Sequence, residues 1–297
     1  MQTFGIYIIG DEILSGKRED KHLTQAISIL KERGLQLGWA EYLGDDPARM
    51  VASFKRSFAQ SEKSGDIVFS FGGIGATPDD YTRQAASDAL DVPIMRHPLA
   101  LAEIQAQFGA DAYPKRVIMA DFPQGADIIP NPINRVAGFS AGLLNQQHYH
   151  YFLPGFPSMA WPMMVWVLDT HYSHQFHQTE HLEQSIIVVD GIESQLIDLM
   201  NAVITQFDVK VFSLPKLKPN RHVELGAKGT PNNVLQAMLA LKAGVTDVGF
   251  AWREPEWLNY KTELLYRFSP HNDGKKCVKL SFLAKSFTFV VGFKKTQ

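Results

Sequence analysis

A short apolar run that ends in glycines limits the folds open to this chain. The run is Ile67 to Phe71, and Gly72-Gly73-Ile74-Gly75 follow it. The run predicts a buried strand, and the glycines predict a sharp turn in which the main chain can approach a bound anion. Thr77 and Pro78 then predict the N-cap and the first residue of a helix, where free N–H groups favour negative charge. Together these elements predict a phosphate-binding site.

The same stretch has a purely structural alternative. Thr77-Pro78-Asp79-Asp80 fits a capping box, in which the Asp80 carboxylate reaches back to the main-chain N–H of the cap. The glycine turn matches neither the G-x-G-x-x-G pattern nor a P-loop with its lysine. A second acidic residue beside Asp80, with further acidic pairs after other strands, favours a site over a cap alone.

Acidic residues also follow the first two predicted strands. The apolar run Phe4–Ile9 ends in Gly10-Asp11-Glu12, and a strand over Leu35–Leu43 is followed by Asp45-Asp46-Pro47. Ligands of open α/β sheets bind just past the carboxyl ends of the strands, so Asp11 and Glu12 are site candidates. A solvated turn with a cap is the alternative for this pair. Asp46, which precedes a proline, is most simply a helix cap.

Strands and helices alternate over about the first 170 residues, which is a typical domain size. This alternation predicts an α/β domain of three layers, α-β-α, with a mostly parallel sheet and right-handed crossovers. Asn131 falls in a tight turn after a predicted strand, where its amide either meets a ligand or satisfies the local main chain. The last strand of this half, Tyr149–Leu153, runs into Pro154-Gly155.

Composition limits the possible partners. A length of 297 residues predicts about two domains, and a net charge of -2 offers no basic field for nucleic acid. The single cysteine, Cys277, cannot form an internal disulfide and indicates a cytoplasmic chain. The start of the chain lacks the basic region of a signal peptide. The most hydrophobic stretch, Phe152–Leu168, is interrupted by prolines and is too short for a membrane span.

The second half predicts a separate, smaller domain. Histidines at 171, 174, 177 and 181 are spaced by three, three and four residues, whereas metal-binding helices usually place two imidazoles four residues apart. An exposed helix end and linker is the preferred interpretation, with a first domain over 1–172. Residues 183–270 predict a β-α-β-β-α order and a small α+β domain, and residues 271–297 form a tail of uncertain structure.

Five motifs in one order resemble a known family. The chain is similar to the MoaB/Mog molybdopterin-binding fold, and more narrowly to its CinA-like (competence-damage-inducible) branch. The motifs are Gly10-Asp11-Glu12-Ile13-Leu14-Ser15-Gly16, Leu43-Gly44-Asp45-Asp46, Gly72 to Thr82, Ile129-Pro130-Asn131-Pro132 and Leu153-Pro154-Gly155-Phe156-Pro157.

The resemblance implies roles for individual residues. Asp80 aligns with the family's catalytic aspartate, and Asp11 is the second catalytic candidate. The implied metal ligands are Glu12, Asp45 and Asp79, while Asp46 stands beside them. The implied phosphate or ligand contacts are Gly10, Ser15, Gly72, Gly73, Gly75, Thr77, Asn131 and Gly155.

The chain also departs from the family pattern at the rim of the implied site. Gly75-Ala76-Thr77 stands where Gly-Pro-Thr is usual, and His22 replaces the usual Asn before the first long helix. Arg135 appears within the run that replaces Gly-Thr-Ala-Pro-Gly-Phe, and Met159 stands where a Glu is expected. These changes put the usual substrate in question while the acidic residues are kept.

The resemblance favours divalent-metal-dependent hydrolysis of a nucleotide pyrophosphate such as ADP-ribose. Carboxylates would hold the metal, and the glycine turn would position the phosphates. One alternative is a molybdopterin-binding protein of molybdenum-cofactor biosynthesis. Another is a pterin- or nucleotide-binding module without catalysis. The expected partner is a small molecule, and a homo-oligomer is possible.

Overall fold

The computed structural model describes residues 3–142, 149–178, 182–218 and 220–255. The chain divides into two compact units, Met1–Gln178 and Thr179–Gln297. The predicted boundaries at 172 and 183 lie on either side of this division, and the full extent of the second domain stays a prediction. The predicted tail, 271–297, lies outside the described residues.

The first unit alternates strands with helices. Its strands are β1 (Phe4–Ile9), β2 (Leu37–Leu43), β3 (Ile67–Phe71), β4 (Ile94–Arg96), β5 (Asp121–Pro123), β6 (Asp127–Ile129), β7 (Gly138–Ala141) and β8 (His150–Leu153). Its helices are α1 (Asp11–Leu14), α2 (His22–Glu32), α3 (Pro47–Ser64), α4 (Thr82–Leu90), α5 (Pro98–Phe108) and α6 (Pro157–His171). Short 3-10 turns cover Gly109–Ala112, Arg116–Ala120 and Ser173–Gln175.

Six of these strands form one sheet in the order β2-β1-β3-β8-β7-β6. The first four are parallel, whereas β7 is antiparallel to β8 and β6 is antiparallel to β7. The remaining two, β4 and β5, pair with each other. Both β1 and β3 are buried along their whole length, as their near-continuous apolar sequences predict for strands covered on both faces.

Helices cover both faces of this sheet. On one face α3, α4 and α5 pack over a core that includes Phe54, Phe58 and Ile104. On the other face α2 and α6 pack over a core that includes Leu30 and Leu168. The predicted three-layer α-β-α domain with a mostly parallel sheet is therefore confirmed.

The predicted helix start at Thr77 and Pro78 is wrong, because α4 begins at Thr82. The N–H of Asp80 donates to the carbonyl of Thr77 (3.1 Å), which closes a separate turn before the helix. The N–H of Thr82 then donates to the carbonyl of Gly73 (3.0 Å) and fixes the start of α4 against the glycine turn. The loop between β3 and α4 is thus longer than the capping signal predicted.

The second unit contains β9 (Leu182–Val189), α7 (Glu193–Phe207), β10 (Lys210–Lys216), β11 (His222–Gly229), α8 (Pro231–Asp247) and β12 (Trp252–Arg253). Its antiparallel sheet has the order β10-β11-β9-β12, and α7 and α8 contribute Leu196 and Leu241 to its core. The predicted β-α-β-β-α order is confirmed over the described residues. In that part of the chain no helix is long and apolar enough to cross a membrane.

Candidate functional site

The candidate site lies where four parallel strands end. Because β1, β2, β3 and β8 are parallel, the turns that follow them emerge at one edge of the sheet, which we call the carboxyl edge. The N–H of Gly10 donates to the carbonyl of Leu43 (3.0 Å), and the N–H of Gly72 donates to the carbonyl of Leu153 (3.0 Å). Parallel pairing therefore brings together residues that are far apart in the sequence.

Asp11 and Asp45 hold each other in place at this edge. The N–H of Asp11 donates to Oδ2 of Asp45 (2.9 Å), and the N–H of Asp45 donates to Oδ1 of Asp11 (3.1 Å). Each carboxylate uses one oxygen in this exchange and keeps the other outside it. Asp11 is exposed and Asp45 is half-buried, so two fixed carboxylates lie side by side within reach of a ligand.

Three glycines of the carboxyl edge leave room for three of the predicted carboxylates. At each of them, a Cβ atom would lie within 3 Å of a carboxylate oxygen, which is closer than packing allows. The pairs are Gly10 with Oε2 of Glu12 (2.5 Å), Gly44 with Oδ1 of Asp11 (2.5 Å) and Gly75 with Oδ2 of Asp80 (2.6 Å). Because these glycines lack a side chain, they leave space for the carboxylates and also allow the main chain to bend.

The turn after β3 supplies unpaired donors. Gly72 and Gly73 have φ values of 111° and 69°, in the region that favours glycine. A Cβ atom at Gly72 would lie 2.4 Å from the carbonyl oxygen of Ile9, so this glycine lets β1 and β3 approach each other. Among the described residues, none accepts a hydrogen bond from the main-chain N–H groups of 73–76. Successive unpaired N–H groups form concave anion-binding sites.

Asp80 closes the loop between the glycine turn and α4. One of its oxygens, Oδ2, accepts hydrogen bonds from the main-chain N–H of Thr77 (2.8 Å) and from the Thr77 hydroxyl. The contact expected of a capping box is therefore present, but it lies in a turn that precedes the helix. No donor within the described part of the chain reaches the second oxygen, Oδ1.

The carboxylates at the edge repel one another. Burial raises the pKa of the Asp45 carboxyl, and the charges of Asp11, Glu12 and Asp79 raise it further. The hydrogen bond from the main chain of Asp11 acts in the opposite direction and lowers it. Four acidic residues are thus close enough for their charges to interact, which favours a cation among them.

The donor set fits one kind of metal binding. Over the described ranges, no group of three or more His, Cys, Asp or Glu side chains is close enough to hold a metal ion. Mg²⁺ is commonly bound by one or two carboxylates together with waters and substrate phosphates. Asp11 and Asp45 fit that arrangement, with the unpaired N–H groups of 73–76 available to the phosphate. Glu12 and Asp79 stay predicted metal ligands. Oε1 of Glu12 lies 3.7 Å from the guanidinium of Arg18.

Two of the other predicted ligand contacts lie at the same edge. A Cβ atom at Gly155 would lie 3.4 Å from the Cα of Gly72, so the turn after β8 touches the turn after β3. Ser15 follows α1 and is exposed, and its N–H donates to the carbonyl of Asp11 (2.8 Å). Their contact with a ligand stays a prediction.

Asn131 lies further away and makes local hydrogen bonds. It follows β6, which is three strands from β3 in the sheet and therefore about 14 Å away. Its Nδ2 donates to the carbonyl of Val136 (2.9 Å) and to Oδ1 of Asn134 (2.7 Å), while its Oδ1 accepts from the N–H of Ile133 (3.0 Å). These contacts match the alternative interpretation of Asn131, in which a turn asparagine hydrogen-bonds to groups of its own turn.

His22 is a residue of the site that the sequence showed only as a departure from the family pattern. Its Nε2 lies 3.1 Å from the carbonyl oxygen of Gly155, and its ring stacks on Phe71 with a centroid distance of 4.5 Å. Burial lowers the pKa of His22, while the hydrogen bond to Gly155 and the charge of Asp20 act in the opposite direction. Its position at the start of α2 was the one signal in the sequence, because a helix that follows a parallel strand starts at the carboxyl edge.

Arg83 is another residue of this edge, and no motif in the sequence points to it. Its buried guanidinium donates to the carbonyls of Ile74 (3.2 Å) and Ile118 (2.9 Å), which ties the glycine turn to the rest of the domain. Burial lowers its pKa, while the charge of Asp80 opposes that effect. Nothing in the sequence pattern separates this arginine from a solvent-exposed residue of α4.

The histidine-rich segment does not form a metal site in the part that the structure describes, which includes His171, His174 and His177. The N–H of His177 donates to the carbonyl of Arg33 (3.0 Å), so the chain after α6 packs on the end of α2. His181 lies outside the described residues.

The fold agrees with comparisons to known proteins. Residues 5–174 match the family model described as "Probable molybdopterin binding domain". This match covers more than half of the chain, and the chain belongs to that family of domains. The predicted MoaB/Mog resemblance is confirmed.

Within that class, the chain shows distant homology to CinA-like proteins. It is 33% identical to a CinA-like protein of Koribacter versatilis over 161 residues, which are 51% of this chain and 37% of the relative. It is 30% identical to a CinA-like protein of a Sulfurihydrogenibium species over 167 residues, 55% of this chain and 41% of the relative. The chain spans about half the length, or less, of the curated relatives that it matches.

A solved structure shows the same fold. It is described as the protein CinA with unknown function from Thermoplasma acidophilum, and it is 23% identical to this chain. The match covers 57% of this chain and 98% of that one, with a TM-score of 0.50. At this level of identity the likeness concerns the fold alone.

Proposed function

We propose that the first unit is a divalent-metal-dependent nucleotide pyrophosphatase that acts on ADP-ribose or a similar dinucleotide. The observation that carries the proposal is the meeting of two opposite features at one edge: the paired carboxylates of Asp11 and Asp45, and the N–H groups of 73–76, for which the described residues supply no acceptor. The N–H groups favour an anion, whereas the carboxylates repel it. A ligand that combines phosphate with a divalent cation satisfies both.

Each part of the edge has a role in this proposal. The N–H groups of 73–76 hold the phosphate oxygens and orient the pyrophosphate. Asp11 and Asp45 hold the cation, because each keeps one carboxylate oxygen outside their mutual hydrogen bonds. When bound, the divalent metal neutralises charge on the phosphates and lowers the pKa of a water molecule. Asp80 positions the attacking water through Oδ1, while its Oδ2 fixes the loop.

The second candidate function is binding of molybdopterin, and the family match favours it. The pterin carries a phosphate, so the same N–H groups would hold it without hydrolysis. In this case the carboxylates serve recognition of ring N–H groups. A domain that has kept the fold and lost catalysis is a variant of this function.

One experiment separates these functions. The full chain is incubated with ADP-ribose and Mg²⁺ or Mn²⁺, and AMP is measured by chromatography, with a chelator as the matched control. We expect AMP release that requires the metal. If no AMP forms and the purified protein carries a fluorescent pterin, the hydrolase is excluded and the pterin function takes its place.

A further inference from the structure

A cavity of about 260 Å³ lies between α3 and the sheet, away from the carboxyl edge. Its walls include Tyr7 of β1, Trp39 of β2 and Val68 of β3. Val68 precedes Gly72 by four residues, so about 13 Å of strand separates the cavity from the glycine turn. The cavity is therefore distinct from the site proposed above.

The sequence of α3 explains why there is room. Ser53, Ser57 and Ser61 recur at four-residue spacing and are all buried, although the inner face of the same helix also carries Phe54 and Phe58. The two phenylalanines fill the space against the sheet at their own positions. Serines are smaller than the residues that normally fill a core, and protein interiors otherwise leave few such voids.

One of these serine hydroxyls has no hydrogen-bond partner within the described ranges. The Ser53 hydroxyl donates to Oε1 of Glu41 (2.9 Å), and the Ser57 hydroxyl lies 2.9 Å from Nε2 of His150. Ser61 lines the cavity, its hydroxyl is buried, and no described residue hydrogen-bonds to that hydroxyl. A buried hydroxyl without a partner costs free energy, which a ligand inside the cavity would recover.

Asp66 is a second polar residue that lines the cavity. Its side chain is buried, and its Oδ1 accepts a hydrogen bond from the N–H of Thr3 (3.0 Å). No ion pair to Asp66 occurs in the part of the chain that the structure describes. Arg56, on the same cavity, pairs with Glu41 instead. A buried carboxylate without a cation is unusual and favours a positively charged ligand.

Aromatic rings form another part of the wall. Tyr7 and Trp39 meet edge to face, with centroids 5.1 Å apart. Aromatic rings attract ammonium and guanidinium groups through their electron-rich faces and also accept apolar groups. The cavity thus combines a buried carboxylate, aromatic surface and a hydroxyl that has no hydrogen-bond partner among the described residues.

We propose that this cavity binds a small organic cation, a primary amine carried on a body of about one ring. The ammonium group donates to the carboxylate of Asp66, which carries no ion pair to a described residue, and to the Ser61 hydroxyl, and its three N–H donors are enough for both. The ring packs against Tyr7 and Trp39. The volume suits one ring with a short chain, because an engineered cavity of about 150 Å³ already holds benzene.

Three probes of equal size and different charge test this proposal: benzylamine, benzyl alcohol and benzoate. Their affinities for the full chain are measured by equilibrium dialysis. We expect benzylamine to bind about tenfold or more tightly than benzyl alcohol, the difference expected for one charge-assisted hydrogen bond. Benzoate should bind least. Equal affinities, or no binding of benzylamine at about 10 mM, overturn the proposal in favour of a cavity that holds only water.

Two variants locate the binding. Asp66→Asn should remove the preference for benzylamine, because Asn still accepts from Thr3 but carries no charge. Asp88→Asn, at an exposed carboxylate of α4, is the matched control and should bind like the wild type. Ser61→Ala should weaken benzylamine binding without lowering the melting temperature, since it removes an unpaired hydroxyl. Unchanged affinity in Asp66→Asn contradicts the proposed contact.

Discussion

Asp45 experiences opposing influences on its charge. Burial and three neighbouring carboxylates raise its pKa, whereas the N–H of Asp11 lowers it, and the net result is a raised pKa. A carboxyl that binds its proton more tightly in the folded state destabilises the fold once it ionises. Such a cost is common at functional sites, where charges are held together for a ligand rather than for stability.

The first prediction concerns Asp45→Asn and pH. The folded pKa of Asp45 is raised, so its contribution to stability is fully present below the unfolded pKa, about 4, and is lost as pH rises through the folded pKa. Asn does not ionise and still accepts the hydrogen bond from Asp11. We expect the free energy of unfolding of the variant, relative to wild type, to be higher at pH 7 than at pH 3. Urea titrations at both pH values measure it, and a difference independent of pH contradicts the charge repulsion.

The second prediction separates chemistry from loop closure at Asp80. Asp80→Asn keeps an oxygen that can accept from Thr77, so the melting temperature should change little. If Asp80 positions water, loss of its charge should lower metal-dependent hydrolysis about a hundredfold. A destabilised variant with full activity would mean that Asp80 only closes the loop. Rates and melting curves on one preparation decide between these outcomes.

The candidate site is built from the turns that follow the parallel strands. These turns were harder to predict from the sequence than the strands and helices. The strands that end at Ile9, Leu43 and Phe71 follow from apolar runs, and their parallel order follows from the intervening helices. The capping signal at Thr77 misplaced the start of α4, because the carboxylate of Asp80 serves a local turn that resembles a cap in sequence. Asn131 likewise follows a strand but makes its hydrogen bonds locally.

The third prediction tests the glycine turn. Gly73 and Gly16 have similar positive φ values, 69° and 71°, but a Cβ atom at Gly73 would lie 2.2 Å from the Thr82 hydroxyl, whereas at Gly16 nothing lies within 4 Å. Gly16→Ala should cost about 1 kcal/mol from main-chain strain alone. Gly73→Ala should cost more, by about 1 kcal/mol or above, because it also crowds a buried contact. Equal losses in urea titrations would contradict the tight packing of α4 on the turn.

The two units of the chain have separate hydrophobic cores. Two clusters of buried side chains cover the two faces of the large sheet and lie within residues 4–172, while a third lies within residues 186–245. The division into two domains could be predicted from length and from the change in element order. The sequence showed His22 only as a departure from the family pattern, and it did not show Arg83 as part of the site, because the roles of both depend on contacts between residues distant in sequence.

The fourth prediction follows from these separate cores. A fragment of residues 1–178 should fold cooperatively by itself, since a domain of this size buries enough apolar surface. Its thermal unfolding should be sharp, and its AMP release from ADP-ribose should equal that of the full chain. A fragment that is folded but inactive would show that the second unit contributes to the reaction. A fragment without cooperative unfolding contradicts the division.

Two neighbouring aspartates allow the sharpest test of metal-dependent hydrolysis at the carboxyl edge. Asp46 caps α3, since its carboxylate accepts from the N–H groups of Ala48 (3.0 Å) and Arg49 (3.2 Å), whereas Asp45 faces Asp11 at the carboxyl edge. With ADP-ribose and saturating Mg²⁺, we predict that Asp45→Asn lowers the rate of AMP release about a hundredfold. Asp46→Asn should keep the wild-type rate and lose about 1 kcal/mol of stability or less. A wild-type rate in Asp45→Asn would contradict the account.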